Sequence, residues 1–168
     1  YAGWTRCTSV PFNTAIGLAE SFDGGQTFQK LGPGPVLSYS PDEPFVLSGP
    51  KIRFFNDQLY LFYIAGQKWV KHEGRPEPVY KIRMATSDDG IHWQKHNNNL
   101  IVDKLGELEA QASPDVFFKN NKYHMFYCYR HGTDYRNGQR GYRIGYAYSE
   151  NLIDWVRADD KVGISVAA

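Results

Sequence analysis

Two stretches of this 168-residue chain align without a gap at a spacing of 64 residues: Pro50 to Tyr63, PKIRFFNDQLYLFY, and Pro114 to Tyr127, PDVFFKNNKYHMFY. Each reads as a proline, an apolar run, a polar turn (Asn56-Asp57 or Asn120-Asn121) and an alternating aromatic strand. Period-two alternation on both sides of a short polar turn is a hairpin signature. A fixed internal period of this length restricts the chain to architectures assembled by stacking copies of one unit.

A second element recurs in phase with the first. SFDGGQTF at 21–28, SDDGIHW at 87–93 and SENLIDW at 149–155 each follow a short apolar run and lead into Phe or Trp. Laid end to end, one unit holds four strands, near 50–55, 59–65, 80–87 and 92–96, and again near 114–119, 122–130, 142–149 and 154–158. The first unit lacks its innermost strand and reads as strands near 1–4, 14–21 and 27–31. No stretch keeps a 3.6-residue apolar period, so helix content is expected to be low. Four-stranded antiparallel units repeated radially describe an all-β fold, the β-propeller. The expectation is a single partial propeller domain over 1–168, with blade repeats at about 1–31, 47–96 and 113–158. That is about two and three-quarter blades, and the chain starts in mid-pattern at Tyr1, as a fragment or processed chain does. An unclosed stack leaves apolar blade faces exposed, which points to a homo-oligomer, a homodimer first.

Loop lengths choose a functional face. Connections at 22–26, 56–58, 88–91 and 120–121 are short, whereas 32–49, 66–79, 97–113 and 131–141 are long and gather on the opposite face. Long loops on a rigid scaffold are where binding and catalysis sit. The short-turn residues Asp23, Asp89, Trp93 and Trp155 are therefore read as structural. A net charge of +1 gives no footprint for nucleic acid, and no apolar stretch reaches a membrane-spanning length. The charged run 68–83, which includes Glu73 and Glu77, reads as a solvated loop. Cys7 and Cys128 are too few for a disulfide framework, and a reduced pair points to the cytoplasm. His92 and His96 have no Cys or carboxylate at ligand spacing, so neither a metal nor a cofactor is expected.

The run Ser113-Pro114-Asp115-Val116, followed by NNKYHMFYCY, resembles the "APDV … GkYYlfYs" segment of the five-bladed glycosidase propellers of families 43, 32, 62 and 68. The resemblance implies a central funnel in which carboxylates from successive inner strands cleave a glycosidic bond, one protonated and one ionised. By position Asp115 matches the family's second, orienting Asp; the alternative is an Asp that caps a strand or pairs with a neighbouring Arg. Glu109 and Glu43, both on the long-loop face, are candidate acids, with solvated loop residues as the alternative. Lys51 stands where Asp115 would fall in the second blade, a departure, and the family's early acidic Asp-Pro motif is absent. Trp4, Arg6, Trp69, Tyr129, Arg130, His131, Tyr142 and Arg143 sit at strand ends on the long-loop face and suit a sugar, as does Lys51. Aromatic faces pack on sugar C–H surfaces, and guanidinium forks bind hydroxyls or carboxylates. The leading expectation is a propeller that binds, and hydrolyses, an oligosaccharide or other glycoside. A non-catalytic carbohydrate-binding or assembly module and a sialidase-like propeller, suggested by SFDGGQTF, are the alternatives.

Overall fold

The computed structural model describes residues 1–136 and 138–164. The chain is a partial β-propeller. Its third blade is the sheet β9 (Ala110–Lys119), β10 (Lys122–Arg130), β11 (Arg143–Ser149) and β12 (Trp155–Arg157), antiparallel in that order. The second is β5 (Phe45–Phe55), β6 (Gln58–His72), β7 (Arg75–Ser87) and β8 (Gln94–Lys95). The first is represented by β1 (Ala2–Arg6) paired with β2 (Phe12–Ile16), and β3 (Ala19–Glu20) paired with β4 (Gln29–Lys30). A 3₁₀ turn, Asp159–Val162, follows β12.

The two complete blades match position for position. Lys51 lies opposite Phe62, and Asp115 opposite Phe126. Both hairpins turn through two residues at positive φ, Asn56 (50°) and Asp57 (60°), Asn120 (50°) and Asn121 (56°). Two left-handed residues make the turn whose twist suits a hairpin, and Asn and Asp tolerate that conformation best after Gly. Both innermost strands also carry the same irregularity. The register skips between Ser48 and Lys51 and again between Ala112 and Asp115. The bulged pairs are Gly49-Pro50 and Ser113-Pro114, with φ of 61° at Gly49 and 53° at Ser113. A bulge is one of the few places in a sheet where a proline's missing N–H costs nothing.

The three Ser-centred turns are built alike. Asp23 Oδ1 accepts the N–H groups of Gln26 and Thr27; Asp89 Oδ1 accepts those of Ile91 and His92; Asn151 Oδ1 accepts those of Ile153 and Asp154. The indole N–H groups of Trp93 and Trp155 close the last two turns onto the carbonyls of Gly90 and Leu152. These side chains are spent on backbone groups that would otherwise be unpaired.

Blades pack face against face. Ile16, Leu37, Leu47, Leu61, Tyr63 and Ala85 fill the space between the first and second. Phe62, Ile82, Met84, Val116, Met125 and Tyr127 fill that between the second and third. Each Leu, Ile, Val, Phe or Met among them contributes roughly 1.5–3 kcal/mol on burial. The far face of the third blade stays open, with Phe117, Phe126, Ile144 and Val156 exposed.

The connection at 66–79 is not a loop. β6 and β7 run on as a two-stranded ribbon, pairing Lys68 with Val79, Trp69 with Pro78 and His72 with Arg75, and turn at Glu73-Gly74 (φ 47° and 78°). Its charges suggested solvation, but in a ribbon only one side of β7 needs donors, so Pro76 and Pro78 sit on its free edge. No helix among the described residues is long and apolar enough to cross a membrane.

Candidate functional site

β9 is an edge strand, and its free backbone is met by a side chain from the neighbouring blade. Arg53 Nε donates to the Val116 carbonyl at 2.8 Å, and Arg53 Nη2 contacts Asp115 Oδ1. The bulge at Ser113-Pro114 sets Asp115 one step beyond the skip, where its carboxylate is half-exposed. Lys51, at the matching place on β5, is exposed.

Glu109 and Glu43 are placed differently. Glu109 is fully buried. Its Oε2 accepts the N–H groups of Lys104 and Leu105, both at 2.9 Å, and its Oε1 accepts Gln111 Nε2 at 3.0 Å and Arg157 Nη1 at 2.7 Å. Glu43 is equally buried. Tyr63 Oη donates to its Oε1 at 2.7 Å, Arg83 Nη1 lies 3.2 Å from the same atom, and Lys95 Nζ lies 2.6 Å from Oε2. Burial beside the Glu43 carboxylate drives the Tyr63 phenol well above its usual range. Both glutamates precede an innermost strand and meet a cation on the outermost strand of the same blade. They hold the two ends of a blade together: three of the four oxygens accept hydrogen bonds, and Glu43 Oε2 faces the Lys95 ammonium as an ion pair.

The space on the long-loop face is a cleft of about 360 Å³ where all three blades meet. Trp4, Phe12 and Trp69 form an aromatic wall, with Trp4 and Phe12 centroids 4.5 Å apart and Phe12 edge-on to Trp69 at 5.3 Å. Tyr80, Arg130, Tyr135, Arg136 and Glu77 also line the cleft. Arg130 is buried, and its guanidinium carbon lies 3.6 Å from the Tyr135 ring centroid. Glu77, on the ribbon, is buried between the Tyr135 hydroxyl, which donates at 2.6 Å, and the Arg136 guanidinium. Burial alone would raise its pKa, but the bonds from Arg136 and Tyr135 outweigh it and hold the carboxyl below the usual range.

Of the expected sugar-binding residues, the structure gathers Trp4, Trp69 and Arg130 around this cleft. Tyr142 stands behind Arg130 and accepts its Nε–H at 3.2 Å. Tyr129 is buried in the core between blades, under the Arg157 guanidinium. His131 opens the 131–141 connection, and Arg143 opens β11 just after it. Arg143 donates to the Gly141 carbonyl, and burial together with the nearby Arg140 and Arg143 charges lowers the pKa of His131. Arg6, Lys51 and Asp115 do not line the cleft. Phe12, Tyr80, Tyr135, Arg136 and Glu77 were not singled out from the sequence. Glu77 is hidden by its charged neighbours, although the Pro-Glu-Pro spacing marks a strand edge. No three His, Cys, Asp or Glu side chains among the described residues converge as a metal site.

No protein-family model matches the chain. A Mycobacterium tuberculosis protein described as uncharacterized is 30% identical over 167 residues, covering 99% of this chain and 52% of its own length. A β-1,2-mannobiose phosphorylase of Thermoanaerobacter sp. is 31% identical over 130 residues, covering 72% of this chain and 40% of its own length. The chain spans about half the length of the curated relatives it matches, or less. Among solved structures, a family 32 β-fructofuranosidase of Bombyx mori superposes with a TM-score of 0.67 at 24% identity, over 94% of this chain and 32% of that one. A further glycoside hydrolase superposes with a TM-score of 0.65 at 18% identity, over 90% and 44%. The fold is that of the glycoside hydrolase β-propellers.

Proposed function

We propose that this chain forms the sugar-binding part of a carbohydrate-active propeller, with a glycoside or oligosaccharide held in the cleft lined by Trp4, Trp69 and Arg130. The observation that carries the reading is the cleft itself: three blades contribute to a lining that joins packed aromatic rings with hydroxyl and guanidinium groups. An apolar platform packs against the C–H face of a sugar ring while hydroxyls and guanidinium groups fix its orientation. Asp115 does not line the cleft, so in a hydrolytic form of the reading the glycoside extends beyond it to the accessible Asp115 carboxylate just past the bulge. Cleavage requires a second carboxyl across the scissile bond. Glu43 and Glu109 do not fit that role, because both are buried with their oxygens engaged.

A non-catalytic binding module is the second reading, and the Arg53–Asp115 pair favours it. One experiment separates the two. Tryptophan fluorescence is titrated with neutral and acidic oligosaccharides, and turnover of aryl arabinosides, xylosides and fructosides is compared between wild type and Asp115→Asn. Turnover lost in the folded variant supports hydrolysis, and binding without turnover supports the module. Neither binding nor turnover rejects both. The open aromatic face of the third blade suits a second copy of the chain, which a mass measurement in solution checks.

A further inference from the structure

The cleft is unbalanced in charge and in hydrogen-bonding capacity, and both imbalances have the same sense. Among the described residues its lining carries one carboxylate, Glu77, and two guanidinium groups, Arg130 and Arg136. Glu77 is consumed by Arg136. Arg130 has only neutral partners: Nε donates to the Tyr142 hydroxyl, Nη1 to the carbonyls of His131 and Gly132, and Nη2 to the Pro78 carbonyl and the Tyr80 hydroxyl. The lining therefore holds one positive charge in excess, beside a guanidinium buried to 1% exposure. Low-dielectric surroundings make such a charge felt over several ångströms.

Among the described residues, two polar atoms on side chains that line the cleft have no hydrogen-bond partner. The Thr14 hydroxyl and the Trp69 indole N–H are both buried and unbonded, and both residues line it. Thr14 is only 1% exposed. An indole N–H can only donate, so whatever satisfies Trp69 must be an acceptor.

Resting on the reading of the cleft as a sugar site, we infer that its ligand is an anionic glycoside, carrying a carboxylate or a phosphate ester beside Arg136. Arg130 supplies field, since all its N–H groups are engaged. Arg136, whose side chain is half-exposed, is the cation a ligand reaches. The aromatic wall takes the apolar face of the sugar ring. A neutral sugar would leave the excess charge without a counterion.

The test is a tryptophan-fluorescence titration of the whole chain with methyl glucuronide, glucose 6-phosphate, methyl glucoside and inorganic phosphate. An acidic glycoside is expected to bind about tenfold or more tightly than methyl glucoside, with the advantage shrinking at high salt. Arg136→Gln should abolish the preference, and Arg136→Lys should retain it. Whichever acidic sugar binds more tightly identifies the group as carboxylate or phosphate. Equal binding of the neutral and acidic sugars overturns the inference and leaves the sugar-site reading standing. Inorganic phosphate binding as tightly as glucose 6-phosphate also overturns it, because the sugar then contributes nothing. No binding by any of the four overturns the inference, and the sugar-site reading with it if the oligosaccharides above also fail.

Discussion

Glu109 Oε1 and Arg157 Nη1 meet at 2.7 Å, joining the residue just ahead of the third blade's innermost strand to that blade's outermost strand. Lys95 and Glu43 make the corresponding contact in the second blade at 2.6 Å. Removing one partner of a buried pair strands the other charge, at a cost of about 3–5 kcal/mol. Glu43→Ala is expected to fall in that range, since it abandons both Lys95 and Arg83. Glu109→Ala should fall near its lower end, because Asp159 remains 2.8 Å from Arg157 Nε. Urea unfolding of the two variants measures both values.

The bulge ahead of Asp115 makes a local prediction. Ser113 holds a left-handed φ of 53°, where Gly49 in the second blade holds 61°. Ser113→Gly is expected to be neutral or stabilising by up to about 1 kcal/mol, and Gly49→Ala destabilising by about 1–2 kcal/mol. A Cβ at Gly49 would meet only Ile64 Cγ1 at 4.0 Å, so any loss there reports backbone strain and not a clash. Thermal unfolding of the pair decides this.

Arg53 and Asp115 are 36% and 49% exposed at their side chains, and a pair so wetted adds little to stability. Arg53→Ala and Asp115→Asn should each shift unfolding by about 1 kcal/mol or less. Any functional loss in Asp115→Asn is then attributable to its carboxylate. A larger destabilisation would make the pair a structural strap.

Beside the exposed turn residues Asp23 and Asp89, whose hydrogen bonds also lower their pKa values, two carboxyls with buried side chains give the molecule an acid sensitivity. The pKa of Glu77 is lowered because Arg136 and Tyr135 outweigh its burial, and that of Asp159 because bonds from Arg157, Tyr127 and the Tyr146 N–H do the same. A depressed folded-state pKa means the contribution is complete above the unfolded values of about 4.3 and 3.9, and lost as pH falls through the lower folded values. The melting temperature should therefore drop below about pH 4, and Glu77→Gln should flatten that decline while costing stability at neutral pH. Melting curves across acid pH check the sign.

Much of the scaffold was readable because its signals are local. Paired Asn and Asp residues mark hairpin turns wherever they fall, and the Ser and Asp of the Ser-Asp-Gly pattern bond to groups within their own turn. The cleft was half readable. Trp4, Trp69 and Arg130 could be found as aromatic or cationic residues at strand ends, but nothing local to Glu77 shows that Tyr135 and Arg136 arrive from more than fifty residues away to bury it. Glu43 and Glu109 illustrate the converse. An acid ahead of an inner strand looks the same in sequence whether it faces a substrate or a lysine or arginine folded back from the blade's last strand.

The kink shared by Gly49-Pro50 and Ser113-Pro114 delivers Lys51 and Asp115 to matching positions on successive blades, although one is a cation and the other an anion. The residue just after the kink has thus been exchanged for its electrical opposite while lamination of the sheets went undisturbed. Chemistry along the inner edge is therefore a separable variable, adjustable one blade at a time by substitutions that leave the packing between blades intact.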